Sequence, residues 1–282
     1  MTSRFRIVLL GWILLGFSLS LSAGSIPTTR LPKLRSAAVL VKDQRSGEFL
    51  VSKQADVAMP IASLTKLMTA MVILDAHLDM DKVITIEEAD KDRLRNSHSH
   101  LYIGTQLTRR EALLVALMAS ENRAARALGR TFPGGVPALV RAMNEKAKAL
   151  ELSETRFEDP AGLSDGNVSS ARNLSRLVET ACGYPLIGMY STQPETTIRT
   201  GRKQLRFVNT NALVRNPRWQ IGLSKTGYIE EAGRCLVMQT QLAQRPVLMV
   251  LLNSTGKNTR LGDANRIRQW LEGPKPYRKS QK

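Results

Sequence analysis

Hydrophobic periodicity changes twice along this 282-residue chain, and the order of the changes constrains the fold more than any other feature. Short β-branched and apolar runs at residues 36–42 and 48–53 flank a polar turn and predict a strand hairpin. Apolar residues at helical spacing dominate the middle of the chain, and strand-like runs return after about residue 195. The predicted class is therefore α+β, in which the N-terminal hairpin joins a sheet built mainly from the C-terminal third and a helical lobe is inserted between.

The same periodicities predict the individual helices and strands. Apolar residues on most sides of residues 60–77 predict a buried helix. Thr108 and Glu111 have the spacing of a capping box, which predicts a second helix from Thr108 to about Ser120. Further helices are predicted at residues 136–150, 171–181 and 263–271, and further strands at residues 204–210, 220–225, 235–242 and 247–252.

The N-terminus has the pattern of a secretory signal peptide. Arg4 and Arg6 precede an apolar run at residues 7–19, and small residues follow at 20–25. The apolar run is shorter than the ~20 residues that a membrane-spanning helix needs, so a signal cleaved near Ala23 is preferred over a transmembrane anchor. The chain is therefore expected to act outside the cytoplasm, with at most a loose membrane association.

The rest of the chain is predicted to form one domain with two lobes. No internal repeat or long low-complexity linker interrupts it. The predicted segments are a signal peptide (1–23), an extended lead-in (24–34), the domain (35–272) and a basic tail that is expected to be disordered (273–282). Within the domain, the sheet lobe takes about residues 35–58 and 195–272, and the helical lobe about residues 59–194.

Charge and metal-ligating residue types restrict the partners. The net charge is +17, and a basic protein outside the cytoplasm suits polyanionic surroundings such as cell wall or anionic lipid. Nucleic acid is not a predicted partner, because the basic residues are spread along the chain without a recognised nucleic-acid-binding motif. His98 and His100 have no further His or Cys nearby, so neither a metal nor a cofactor is predicted. Cys182 and Cys235 would be able to pair in an oxidising compartment, and the sequence leaves that open.

A Ser-x-x-Lys motif, Ser63 to Lys66, lies near the start of the predicted buried helix. Positions three apart share a helix face, so the Lys66 amine can reach the Ser63 hydroxyl. A serine hydroxyl becomes a strong nucleophile when a base takes its proton, and burial can lower the pKa of a lysine enough to keep its amine neutral. The motif alone is not specific, because Ser254 to Lys257 has the same spacing in this chain.

Two more motifs follow in the order that this chemistry requires. Ser120 and Asn122 form a Ser-x-Asn motif at the predicted helix end, where Ser120 would relay a proton and Asn122 would bind a substrate amide. Lys225, Thr226 and Gly227 close a predicted strand, where Lys225 offers charge to a carboxylate and Gly227 permits a close approach. Each motif alone fits an ordinary helix or strand end, whereas the three in order predict an active site in a cleft between the lobes.

The three motifs resemble the signatures of penicillin-binding proteins and serine β-lactamases. The resemblance covers roughly residues 35–272 and implies a β-lactamase/transpeptidase-like fold with an antiparallel sheet. It implies Ser63 as the acylated nucleophile, Lys66 as its general base and Ser120 as a proton relay. The implied substrate-binding residues are Asn122, Lys225, Thr226, Gly227 and Tyr228, with Lys225 and Thr226 on the terminal carboxylate and the N–H groups of Ser63 and Tyr228 as oxyanion hole.

Longer segments narrow the resemblance to low-molecular-mass D-alanyl-D-alanine peptidases. Residues 158–163, Glu-Asp-Pro-Ala-Gly-Leu, are similar to that group, and residues 120–135 are similar to endopeptidases of the penicillin-binding protein 7 type. The implied activity is hydrolysis of peptidoglycan crosslinks in the periplasm by a serine-type D,D-peptidase, which β-lactam antibiotics inhibit covalently. Carboxypeptidase trimming of stem peptides is the alternative. Because the chain ends soon after its last predicted helix, the extra C-terminal β domain and membrane anchor of larger carboxypeptidases are not expected.

Two rival functions remain at the sequence level. A class A β-lactamase carries a Glu-x-x-Leu-Asn element that supplies the deacylating base, and none occurs between Ser120 and Lys225. A β-lactam is therefore expected to acylate Ser63 and to stay there. A non-catalytic wall-binding protein would keep the fold but would not be acylated at Ser63.

Overall fold

The computed structural model describes residues 31–201 and 203–273; the predicted signal peptide, most of the lead-in and the tail after Gly273 lie outside them. Strands β1 to β11 span Ser36–Asp43, Phe49–Lys53, Met59–Pro60, Val83–Thr85, Gln106–Thr108, Val168–Ser169, Glu195–Thr200, Lys203–Val208, Gln220–Ile229, Gly233–Leu242 and Arg245–Ser254. Helices α1 to α7 span Lys66–Asp75, Arg109–Met118, Asn122–Arg130, Gly135–Ala149, Ala171–Cys182, Pro185–Ser191 and Thr259–Glu272. Short 3₁₀ helices span Ala62–Thr65, Glu88–Asp90 and Ala212–Arg215. None of the helices in the described ranges combines the length and apolarity that a membrane span requires.

Five antiparallel strands form the main sheet, in the order β2-β1-β11-β10-β9. β1 pairs with β11 along its length, from Ser36 opposite Ser254 to Asp43 opposite Val247. The N-terminal hairpin therefore joins the C-terminal strands, and the helices lie between these two parts of the sequence. The predicted α+β class is confirmed.

Apolar side chains bury both faces of this sheet. Leu40 belongs to the core shared with the helical lobe, where α5 packs on β1 and β11. Its neighbour Val41 points to the opposite face and belongs to a second core that includes Ile267 of α7. A strand that is buried on both faces has no solvated side, which explains the unbroken apolar run at residues 247–252. Burial of each such aliphatic side chain stabilises the fold by roughly 1.5–3 kcal/mol.

Helices α1 and α2 form where the sequence predicts them. Every residue from Lys66 to Ile73 is buried, so α1 has no polar face. The capping box at the start of α2 is complete: the Glu111 N–H donates to Thr108 Oγ1 at 3.1 Å, and the Thr108 N–H donates to the Glu111 carboxylate at 2.7 Å. The 3₁₀ turn before α1 packs against β9, the last strand of the sheet. One wall of a cleft is thus placed opposite that strand.

Several elements differ from the sequence predictions. Helices α3 and α6, strand β7 and the short strands β3 to β6 are missing from the prediction. Helix α7 begins at Thr259 although its start was predicted at residue 263, and β9 continues to Ile229 although its end was predicted at Lys225. The buried face of α3 consists largely of alanines, whose small side chains give little contrast in periodicity. Gly227 suggested the end of a strand, but it lies inside β9, where the lack of a side chain allows a close contact with the backbone of Ile61.

The two cysteines, whose pairing the sequence leaves open, are both free thiols. Cys182 is exposed at the end of α5, and Cys235 is buried in β10. Burial raises the pKa of the Cys235 thiol to about 11. The pKa of the Cys182 thiol is also raised to about 11, because the protein partly shields its sulfur from water although the residue is exposed, and because the Glu179 carboxylate lies nearby. Neither is therefore a reactive thiolate near neutral pH.

A buried carboxylate fastens α7 to the start of β1. Asp263 is fully buried, and its carboxylate accepts hydrogen bonds from the backbone N–H groups of Arg35 at 3.0 Å and Ser36 at 2.7 Å. The Ser36 hydroxyl donates a third bond at 2.6 Å, and Arg266 donates a fourth at 2.8 Å. Side-chain bonds therefore join the two ends of the domain in addition to strand pairing.

The substitution Asp263→Ala is expected to lower the free energy of unfolding by about 3 kcal/mol, because it leaves buried donors without an acceptor. Chemical denaturation measures the change. Glu272→Ala is the matched control on the same helix: Glu272 pairs with Arg268 at 2.7 Å near the surface, so its loss is expected to cost below about 1 kcal/mol. Equal costs for the two substitutions would contradict the fastening role of Asp263.

Candidate active site

Three separate parts of the chain deliver the motif residues to one cleft. Ser63 lies in the 3₁₀ turn before α1, and Lys66 is the first residue of α1. Ser120 and Asn122 lie in the turn between α2 and α3 and at the start of α3. Lys225 lies in β9 and is almost fully buried. The structure therefore brings the three predicted motifs together.

The Lys66 amine is the centre of the cluster. Its Nζ lies 2.7 Å from Ser63 Oγ, 2.8 Å from Asn122 Oδ1 and 2.6 Å from the Ala161 carbonyl oxygen. Burial lowers the pKa of Lys66 to about 7, although the charges of three carboxylates act in the opposite direction. These carboxylates belong to Asp159, Glu121 and Asp92. A large fraction of the amine is therefore neutral near pH 7.

The neighbours of Lys66 determine where its lone pair points. A neutral amine has two N–H groups and one lone pair. Asn122 Oδ1 and the Ala161 carbonyl oxygen can only accept, so they take the two N–H groups. The lone pair then faces Ser63 Oγ, which is the one of these three neighbours that carries a hydrogen to give. This arrangement can remove a proton from Ser63 and return it later.

Lys225 and Ser120 form a second pair on the opposite wall. Lys225 Nζ donates to Ser120 Oγ at 2.8 Å and to the Thr226 carbonyl oxygen at 3.0 Å. Burial, together with repulsion from Lys66 and Arg260, holds the pKa of Lys225 well below its ordinary value. An anion that entered the cleft would relieve this repulsion and favour the charged form.

The Ser-x-Asn motif joins two helices and does not end one. Ser120 has a φ of +59°, a left-handed conformation that a serine adopts at some cost in energy. Glu121 is buried, and its carboxylate accepts from the Arg123 N–H at 3.2 Å and from the Ser99 hydroxyl at 2.6 Å. The buried carboxylate caps α3 and so fixes the direction of Asn122, the first residue of that helix.

Two glycines allow backbone segments to meet beside Ser63. A Cβ on Gly227 would lie 2.9 Å from the Ile61 carbonyl oxygen and 3.2 Å from the Ser63 nitrogen. Gly162 has a φ of +76°, and a Cβ there would overlap the Ala62 carbonyl group. The close approach that the sequence predicts for Gly227 is therefore present, next to the N–H of Ser63. The neighbouring Tyr228 is more than half exposed, and Arg234 lies 4.4 Å from the centre of its ring.

The sequence analysis missed Asp159, which orients the loop that carries Ala161. Its carboxylate accepts from the N–H groups of Ala161 at 2.7 Å, Gly162 at 2.8 Å and Leu163 at 3.0 Å. These bonds turn the Ala161 carbonyl toward Lys66. An Asp-Pro-Ala-Gly sequence is typical of a turn, but no local pattern indicates the distant lysine toward which this turn directs a carbonyl group.

Arg260 is a second residue that the sequence analysis missed. It is the second residue of α7, it is buried, and its charge contributes to the lowered pKa of Lys225. Within the described part of the chain, its Nε and one terminal nitrogen have no hydrogen-bond partner. Buried guanidinium donors without partners are costly, and an anion within hydrogen-bond distance of them would offset that cost.

Residues that are able to hold a metal ion do not gather anywhere in the described ranges. His98 and His100 pack edge to face with ring centres 5.1 Å apart, and His100 also contacts the ring of Phe207. Their contacts are therefore those of aromatic packing.

Comparison with known proteins gives a consistent family. A family model described as D-alanyl-D-alanine carboxypeptidase matches residues 26–256. A D-alanyl-D-alanine endopeptidase of Pseudomonas aeruginosa is 45% identical, over 96% of this chain and 89% of that protein. A protein of the same name from Escherichia coli is 41% identical, over 87% of this chain and 80% of that protein. A crystal structure of a Streptomyces DD-transpeptidase has a TM-score of 0.79 at 26% identity, and the match covers 86% of this chain and 98% of that one.

The reaction of Ser63 with a small fluorophosphonate probe is expected to report the protonation of Lys66. Because the pKa is lowered to about 7, the neutral amine prevails above that pH. The labelling rate should rise about tenfold per pH unit below 7 and level off above it. Intact-mass measurements between pH 5 and 10 give the rates.

Lys66→Ala should abolish this labelling, whereas Lys257→Ala should not change it. Lys257 is the exposed lysine of the second Ser-x-x-Lys sequence and is therefore the matched control. A rate that continues to rise up to pH 10 would contradict Lys66 as the base.

Proposed function

Because the chain belongs to the D-alanyl-D-alanine carboxypeptidase family of serine peptidases, we propose that it is a D,D-endopeptidase that hydrolyses the D-alanyl peptide bonds crosslinking peptidoglycan. The 2.7 Å contact between the largely neutral Lys66 amine and Ser63 Oγ is the observation that carries this proposal. Relatives that are 36–45% identical bear the name endopeptidase, whereas relatives at 31% bear the name carboxypeptidase. Endopeptidase activity is therefore preferred over carboxypeptidase activity.

Acylation starts at Ser63. Its Oγ attacks the D-alanyl carbonyl carbon while its proton passes to Lys66 Nζ. The carbonyl oxygen becomes an oxyanion, for which the N–H groups of Ser63 and Tyr228 are the proposed donors. The close packing of Gly227 against Ser63 supports this pairing, because it brings the Tyr228 peptide group beside the 3₁₀ turn.

The leaving amine needs a proton before it departs, and Ser120 is the proposed relay for it. Ser120 lies 2.8 Å from Lys225 Nζ. Its hydroxyl gives a proton to the amine and recovers the proton that Lys66 took from Ser63, so Lys66 is neutral again when water attacks the ester. Breakdown of the tetrahedral intermediate leaves the D-alanyl group as an ester on Ser63. Water then attacks this ester, with Lys66 again as the base, and the free serine and the acid product result.

A carboxylate beside the scissile bond is the proposed ligand of the basic wall. Lys225 and the Thr226 hydroxyl are its predicted ligands, and the unpartnered guanidinium of Arg260 is added here. The binding of one carboxylate would offset the mutual repulsion between Lys225 and its cationic neighbours. Asn122 is the proposed donor to the substrate amide on the facing wall.

We also propose that the chain is exported to the periplasm, where peptidoglycan lies. The apolar N-terminal pattern of residues 1–23 supports export, and these residues lie outside the described ranges. A net charge of +17 suits a protein that works against an anionic cell wall.

The protein without residues 1–23 is expected to cleave a crosslinked dimeric muropeptide at least tenfold more efficiently than it trims a monomeric pentapeptide. Mass spectrometry of both digests measures this ratio.

A labelled penicillin should form a stable adduct that is lost in Ser63→Ala. A reversed preference would indicate a carboxypeptidase. Turnover of penicillin without a stable adduct would indicate a β-lactamase. If neither an adduct nor cleavage is observed, the protein would be a non-catalytic wall-binding protein.

Arg260→Gln should lower kcat/KM about tenfold or more for a substrate with a free carboxylate beside the scissile bond, because one charge-assisted bond is lost. The same substitution should have little effect on a substrate in which that carboxylate is amidated. Arg218→Gln, at an exposed position outside the cleft, is the control. Equal losses for both substrates in Arg260→Gln would contradict carboxylate binding.

A further inference from the structure

Asn122 links the Lys66 amine to a loop that none of the three motifs includes. Its Oδ1 accepts from Lys66 Nζ at 2.8 Å, and its Nδ2 donates to Ser97 Oγ at 2.8 Å. Ser97 in turn donates its backbone N–H to the Asp92 carboxylate at 3.0 Å. A continuous set of hydrogen bonds therefore connects the amine with a carboxylate in the loop before β5.

Asp92 holds Ser97 in place beside Asn122. Its carboxylate is buried and accepts from the N–H groups of Leu94 and Arg95, each at 3.0 Å. Burial alone would raise the pKa of Asp92, but a side-chain hydrogen bond from Ser97 and the backbone bonds hold it below its ordinary value. A carboxylate can only accept, so Asp92 binds the Ser97 N–H, and the Ser97 hydroxyl oxygen accepts from Asn122 Nδ2.

The orientation of the Asn122 amide matters because its two ends have nearly the same shape. With Oδ1 on Lys66, the amide takes an N–H of the amine and leaves the lone pair for Ser63. A rotated amide would present Nδ2 to Lys66, and the lone pair would then accept from the amide. Ser63 would lose its base without any change in the backbone.

We propose that Asp92 and Ser97 are positioning residues for the acylation of Ser63: they hold the Asn122 amide with its oxygen on Lys66 and so direct the lone pair of the amine at the serine. No proton travels along these bonds, since the Ser63 proton passes only to Lys66. The inference rests on the proposed function for its chemistry and adds two residues outside the motifs.

Other charged groups around Lys66 make the pH dependence interpretable. Asp159, Glu121 and Asp92 favour the ammonium form of Lys66, and Lys66 lowers the pKa of Lys225 on the opposite wall. The substitution Ser97→Ala changes none of these charges. A shift of the Lys66 pKa in that variant therefore reports hydrogen bonding or solvent access.

The test is the rate of Ser63 labelling by the fluorophosphonate probe, from pH 5 to 10, in the wild-type protein and in Ser97→Ala. The plateau rate should fall about 10- to 100-fold, because the Asn122 amide would be rotated in a large fraction of the variant molecules. The acidic limb should move to lower pH, because an N–H that faces Lys66 disfavours the ammonium. Ser97→Thr keeps the hydroxyl and should stay within about threefold of wild type, and His98→Ala is the control in the same loop.

Two results would overturn the inference. An unchanged plateau would show that Ser97 does not orient the amide. A lower plateau with the acidic limb unmoved or moved to higher pH would indicate a loosened loop that admits water, since hydration raises the pKa of a buried lysine. If Ser97→Ala does not fold, Asp92→Asn is the second variant. It weakens the acceptor that holds the Ser97 N–H, so its plateau rate should also fall, and an unchanged plateau would overturn the inference.

These outcomes are separate from failure of the proposed function. The probe needs only Ser63 and its base, whereas endopeptidase activity needs the muropeptide. A wild-type protein that is labelled but does not cleave muropeptides would refute the function and leave the positioning of Ser63 testable. A wild-type protein that is not labelled at any pH would refute both.

Discussion

The structure depends on one costly feature, a lysine amine kept out of water. Lys66 is 2% exposed, and its three closest polar neighbours are a serine oxygen, an amide oxygen and a carbonyl oxygen. An amine in such a place gives up its charge easily, and this property makes it a base near neutral pH. The rest of the domain can be understood as the support that such a group needs: a fully apolar helix behind it, a rigid loop beside it and a second wall in front of it.

The support is electrostatic as well as steric. Three carboxylates surround Lys66 at enough distance to favour its charge without pairing with it, and burial opposes them. Across the cleft the electrostatic balance is different, because Lys225 and Arg260 repel each other and no carboxylate of the described residues forms a salt bridge with Lys225. The wall that carries Lys66 therefore favours proton transfer, and the wall that carries Lys225 favours the binding of an anion.

The sequence predicted the parts of the site that local patterns encode. The capping box of Thr108 and the apolar helix behind Lys66 are local patterns, and both lie where they were expected. The three motifs are local as well, although Ser-x-Asn joins two helices and Lys-Thr-Gly lies inside β9. The partners that orient these residues were not predictable. Asp159, Arg260 and Asp92 act on residues far away in sequence, and an aspartate in a turn or an arginine at a helix start has no local feature that reveals a distant role. The length of β9 was mispredicted for a related reason. Gly227 allows a close contact with the backbone of Ile61 and Ser63, which belong to another part of the chain.

The pairing of β1 with β11 has a consequence for how activity appears during the life of the molecule. Contacts between the two ends of the domain have large sequence separation, so they form late and only after the whole domain is present. Before that, Lys66 is solvated and carries its charge, and Ser63 is an ordinary hydroxyl. An unfolded chain therefore has no activated serine, and the nucleophile is formed only when the two ends of the domain have come together.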